Sequence, residues 1–200
     1  MHEIVKNLES VKHKINEKVK LSQETTKQPT IIAVSKTFSR DQISPLIEAG
    51  HIHFGENKVQ EAEKKWDKIL INKYGLKLHM VGGLQSNKAK KAVEIFDYIH
   101  SLDNLRLAKK LHSAEQEFNK NLKYFVQVNL GNEAQKSGVP KNDLENFIET
   151  LRRDFKLNII GLMCLPPQNE KSESYFKELK EFSIKHNFNH LSMGMSHDYL

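Results

Sequence analysis

A single cysteine, Cys164, leaves this chain no intramolecular disulfide and no cysteine-built zinc site. No apolar run approaches the roughly 20 residues that cross a bilayer as a helix. The opening Met1-His2-Glu3 lacks the basic-then-apolar signature of a secretory signal, so a cytoplasmic protein without membrane contact is expected. A cysteine between Met163 and Leu165 reads as a buried, inert thiol rather than a nucleophile.

What is present describes an ordinary globular domain. Two hundred residues, 38% apolar and 28% charged, fill one domain with a sizeable core, and the whole of 1–200 is taken as a single unit. The formal charge of +6 raises the question of nucleic acid. However, the lysines alternate with glutamates, as in Glu61-Ala62-Glu63-Lys64-Lys65. The densest basic cluster, Lys88-Ala89-Lys90-Lys91, has no aromatic residues between its charges. Solvated helix faces account for this pattern better than a phosphate-tracking groove, and no nucleic-acid partner is expected.

Apolar spacing divides the chain into an alternation of strands and helices. Ile4, Leu8, Val11, Ile15 and Val19 recur at helical spacing and predict an additional amino-terminal helix. Strand-like runs follow at 31–34, 51–54, 76–81, 98–100, 124–130, 157–162 and 190–192, each leading into a helix or the start of one. Ser39-Arg40-Asp41-Gln42 fits a capping box, with Gly50 as the stop and Pro45 shortening or kinking the helix between them. Val59, Ala62, Trp66 and Ile69 predict one continuous helix. Strict β-α alternation requires a parallel sheet with helical crossovers. No GxGxxG or GxxxxGK[ST] follows the first strand, which favours a (β/α)8 TIM-barrel type over an open nucleotide-binding sheet.

In such a barrel, chemistry sits at the carboxyl ends of the strands, where Ile31-Ile32-Ala33-Val34-Ser35 delivers Lys36. A buried ammonium is costly, and desolvation favours the neutral amine that attacks an aldehyde to form a Schiff base. A strand-end lysine snorkelling to water is the alternative. His51 and His53 share one face of a short strand, without a third ligand nearby, so no metal is assigned to them. The polar stretch 132–136 is a lid or a surface loop.

Six motifs then appear in order: Ala33-Val34-Ser35-Lys36, His53-Phe54-Gly55-Glu56-Asn57-Lys58-Val59-Gln60-Glu61, His79-Met80-Val81-Gly82-Gly83-Leu84-Gln85-Ser86-Asn87-Lys88, Gln127-Val128-Asn129, Gly161-Leu162-Met163 and Leu191-Ser192-Met193-Gly194-Met195-Ser196. Together they resemble the pyridoxal phosphate homeostasis proteins, single-domain relatives of the alanine racemase N-terminal barrel. The resemblance runs from about residue 4 to the end of the chain.

That resemblance implies pyridoxal 5′-phosphate as cofactor, held as a Schiff base on Lys36, with Asn57 near it and Ser196 as a phosphate ligand. Gly194 and Met195 belong to the turn that delivers Ser196, and Lys88 and Lys136 are solvated charges or contacts to a second phosphate. It also implies a further helix and a last strand with an Arg-x-Gly-[Thr/Ser] element, which this sequence does not reach before Leu200. The expectation is therefore a barrel lacking its last strand. Holding the cofactor for vitamin B6 homeostasis is implied rather than turnover, with no catalytic residue, a monomeric state and cofactor-dependent apoenzymes as possible recipients. A PLP-dependent enzyme such as a weak amino-acid racemase is the alternative.

Overall fold

The computed structural model describes residues 2–22, 28–131, 137–167 and 170–199. The stretch 132–136, with Lys136, lies outside the described residues. In chain order the elements are α1 (Glu3–Leu21), β1 (Ala33–Val34), α2 (Arg40–Glu48), β2 (His53–Glu56), α3 (Val59–Lys65), α4 (Lys68–Tyr74), β3 (Lys77–Met80), α5 (Ala89–Ile95), β4 (Tyr98–Leu102), α6 (Leu105–Phe118), β5 (Lys123–Asn129), β6 (Val139–Pro140), α7 (Leu144–Thr150), β7 (Ile159–Met163), α8 (Ser172–Lys185) and β8 (His190–Ser192).

All strand pairs are parallel, in the order β1-β2-β3-β4-β5-β7-β8, with β6 pairing β5 to one side. Parallel strands need crossovers, and the helices supply them over one face of the sheet. Phe54 of β2 and Leu78 of β3 share a register, as do Met80 and Ile99 of β4, and all four are buried. Phe54 meets the Trp66 indole with ring centroids 5.1 Å apart, so this face carries the helix layer. Burying each such side chain contributes roughly 1.5–3 kcal/mol.

The opposite face carries His53, Gly55, His79, Tyr98 and His100. It is concave: His100 on β4 hydrogen bonds Ser192 on β8 at 2.7 Å, although β5 and β7 lie between them in the sheet. Among the described residues β1 and β8 are not paired, so the sheet is an open, curved wall.

Local chemistry sets the element ends. Ser39 and Gln42 form the expected capping box on α2, which ends at Ala49 just before Gly50 takes φ +84°. Pro45 sits inside α2 and the helix stops after nine residues. The helix expected through Trp66 is two helices. Trp66 has extended dihedrals (φ −105°, ψ 112°), and Asp67 then caps α4 by accepting from the Leu70 amide. The helical spacing of Trp66 was real, but its indole N–H is committed to Glu56 on β2, at 3.0 Å. Among the described residues no helix is long and apolar enough to cross a membrane.

Candidate functional site

Because every strand runs the same way, the residues following β1, β2 and β8 emerge on one edge of the sheet. Lys36 lies two residues past β1, Asn57 directly past β2, and Gly194, Met195 and Ser196 just past β8. The first two are neighbours through the β1–β2 register, Val34 opposite Gly55. The turn 194–196 belongs to the far end of the strand order, and no hydrogen bond or ion pair among the described residues joins it to Lys36.

Lys36 is exposed, which matches the strand-end lysine reaching water and not the desolvated amine. It pairs with no carboxylate among the described residues. Beside it opens a cleft of about 460 Å³ lined by Thr37, Phe38, Arg40, Glu61, Lys64 and Lys65. The backbone beneath it is held from α3. Ser35 is buried; its amide donates to the Gly55 carbonyl at 2.8 Å and its hydroxyl donates to Glu56 Oε1 at 2.8 Å. The Lys65 ammonium donates both to Glu56 Oε1, at 2.9 Å, and to the Ser35 carbonyl. Glu56 is fully buried, and its Oε2 has no hydrogen-bond partner among the described residues.

Sequence reasoning missed this clamp. The available signal was Glu56 itself, a carboxylate at the end of a buried strand segment that must find a cation or donors to stay inside.

Asn57 is half-buried, and the loop after β3 is pressed against it. A Cβ on Gly82 would lie 2.4 Å from the Asn57 carbonyl oxygen, so only glycine permits this approach. At the other end, Gly194 has φ +85°, and the Asp198 carboxylate accepts from the Met195 amide. The Asp198 amide returns a bond to the Met195 carbonyl at 3.0 Å, closing the turn in which Ser196 sits. Ser196 is exposed, and its hydroxyl makes no hydrogen bond among the described residues. A free lysine amine, a free hydroxyl on a glycine-bent turn and the close approach that Gly82 permits suit an aldehyde-bearing phosphate ester.

Cys164 is buried, and burial pushes its thiol up to about 12, as an inert core sulfur requires. His51 and His53 do not form a ligand pair. The His51 ring bonds the His53 carbonyl, while His53 bonds His79. Among the described residues no group of three or more His, Cys, Asp or Glu is arranged to hold a metal.

Known proteins share the sequence and the fold of this chain. The family profile of the alanine racemase N-terminal domain matches residues 7–200. The pyridoxal phosphate homeostasis protein of Escherichia coli is 31% identical over 207 residues, spanning 99% of this chain and 88% of that protein. The chain belongs to the pyridoxal phosphate homeostasis protein family. The family member from Synechocystis is 37% identical over 178 residues, covering 84% of this chain and 81% of its own. Among solved structures, PipY of Synechococcus elongatus without PLP superposes with a TM-score of 0.79 at 35% identity. PipY with PLP bound gives 0.77 at 32% identity, and both cover 92% of this chain and 91% of theirs.

Proposed function

We propose that this family member binds pyridoxal 5′-phosphate and serves vitamin B6 homeostasis, holding and releasing the cofactor without turning over a substrate. The observation that carries this reading is Lys36, an amine without an ionic partner among the described residues, on the same sheet edge as Asn57 and the Ser196 turn. The PLP-bound PipY structure and the names of the relatives support it.

When bound, the cofactor supplies an aldehyde to which a neutral lysine amine bonds covalently. Lys36 is the residue for that bond. Ser196 offers its hydroxyl to the phosphate, with Gly194 and Met195 shaping the turn that presents it. Asn57 stands beside Lys36 as a neutral hydrogen-bonding side chain. Lys65 and Glu56 hold the Ser35 backbone from which Lys36 projects.

In this reading residues 1–200 act as one cofactor-binding unit, and the curved sheet is the wall of a (β/α)8-type barrel. The bond between His100 and Ser192 across the concave face supports that curvature. The protein works as a monomer, and cofactor-dependent apoenzymes are the recipients.

An absorbance titration with pyridoxal 5′-phosphate, run on the chain and on Lys36→Ala, tests the reading. A stoichiometric yellow adduct, fixed by borohydride and mapped to the Lys36 peptide, is expected from the parent and lost in the variant. An adduct on scattered surface lysines, unchanged in Lys36→Ala, would overturn it. Racemisation of added amino acids by the loaded protein would replace holding with turnover.

A further inference from the structure

Three histidines from three successive strands form a single hydrogen-bonded line through the concave face. His53 Nδ1 lies 3.0 Å from His79 Nε2, His79 Nδ1 lies 2.9 Å from His100 Nε2, and His100 Nδ1 lies 2.7 Å from Ser192 Oγ. Each ring presents Nε2 to the ring before it and Nδ1 to the group after it, so the contacts run head to tail. Two aromatic rings hold the line in place. Tyr98 stacks on His79 with centroids 4.2 Å apart and planes 12° apart, and Phe125 stacks on His100 at 4.5 Å and 21°.

The two ends differ in surroundings. His53 is half-buried and lines an open cleft of about 280 Å³ with Lys12, Asn16, Gln28 and His51, beside α1. Ser192 is the last residue of β8 and is followed by Met193 to Ser196. His79 and His100 between them are 3% and 1% exposed, so the two rings face protein rather than bulk solvent.

We propose that His53, His79, His100 and Ser192 are a proton relay that couples the cleft beside α1 to the turn after β8. The coupling runs through two tautomer sets. In one, each ring carries its proton on Nδ1 and donates forward, His100 donating to Ser192, whose hydroxyl is then free to donate toward the turn. In the other, each ring carries its proton on Nε2 and donates backward, and Ser192 donates to His100.

Passage of one proton converts the first set into the second. A proton taken from cleft water at His53 Nε2 releases the Nδ1 proton of His53 to His79 Nε2. His79 then releases its Nδ1 proton to His100 Nε2, and His100 releases its own to Ser192 Oγ. The original hydroxyl proton leaves Ser192 for water on the turn side. One proton enters, one leaves, and no charge accumulates.

Neutral rings are a condition of this scheme, and burial supplies it. Desolvation holds His79 down at about 2 and His100 at about 4, with His53 also lowered. The charged groups facing the line are Lys77, Lys123 and Asp97 around His53, and Lys123 near His79. The relay goes beyond the cofactor reading and does not depend on what the turn binds.

The test is ¹⁵N NMR of the histidine rings in the cofactor-free protein. A buried bare nitrogen is tolerated better than a buried N–H without an acceptor. Ser192→Ala should therefore drive His100 and His79 both to the Nε2–H form, and His53→Phe should drive both to Nδ1–H. Opposite tautomers at the same two rings, set by substitutions at opposite ends, is the expected result. If His79 or His100 keeps one tautomer in both variants, the relay is wrong. Should either variant fail to fold, the parent protein decides. Scalar couplings between His53 Nδ1 and His79 Nε2, and between His79 Nδ1 and His100 Nε2, support the line, and their absence overturns it.

Discussion

Gly82 is packed against the backbone of Asn57 so closely that a methyl group there would sit 2.4 Å from the carbonyl oxygen. Gly83, the next residue, has nothing within 4 Å of the same hypothetical atom. Gly82→Ala should cost about 2 kcal/mol or more, because backbone on both sides must shift. Gly83→Ala should stay within about 1 kcal/mol of the parent. Urea denaturation of the two variants reads the difference, and cofactor titration should show weakening only for Gly82→Ala. Equal effects would mean that the loop after β3 does not rest on Asn57.

The Glu56 carboxylate is fully buried, and its cation, Lys65, is only 10% exposed. Lys65→Met leaves that carboxylate inside with Ser35 and Trp66 as its remaining donors. The expected loss is about 3 kcal/mol, within the range for breaking a buried pair from one side. Lys65→Met combined with Glu56→Gln should recover part of it, since no uncompensated charge remains. A double variant less stable than the sum of the singles would contradict the ion pair.

Acid should destabilise this protein earlier than carboxylates alone would explain. His79 and His100 stay neutral in the folded chain, with burial holding them at about 2 and about 4, against 6.5 when exposed. Above about pH 6.5 folded and unfolded forms bind the same protons at these rings, and their contribution does not change. As the pH falls below 6.5 only the unfolded form takes up protons, so stability drops, by roughly 2 kcal/mol per ring at pH 5. Denaturation curves between pH 5 and 8 should show this slope, and it should flatten in His100→Gln.

Cys164 should resist alkylation. The thiol is 2% exposed and stays protonated at pH 8, so reaction with a disulfide reagent must wait for unfolding. Stopped-flow labelling should give a native rate equal to the opening rate and a fast rate in denaturant. Rapid labelling of the folded protein would show that the segment after β7 opens on its own.

The architecture was readable in the sequence where one element speaks for itself. Seven of the eight strands among the described residues, the cap at Ser39 and the helix stop at Gly50 follow from apolar runs and local turn chemistry. What depends on two distant segments was not readable. β6 is two residues, one of them Pro140, and it exists only because Val139 pairs with Val128. The helix through Val59 and Ile69 breaks at Trp66 because Glu56 claims the indole. His53, His79 and His100 lie tens of residues apart and meet through strand register, His79 opposite both Gly55 and Tyr98. Lys36 could be placed at a strand end, but its exposure follows from how short β1 is.

That brevity has a mechanical side. With two paired residues, β1 is too slight a beam to carry a side chain rigidly, and Lys36 overhangs it like a cantilever. The support under the overhang is the Lys65 ammonium, gripping the Ser35 carbonyl from α3. The residue that carries Lys36 is therefore moored twice, to the neighbouring strand through Gly55 and to a helix on the outside of the sheet through Lys65.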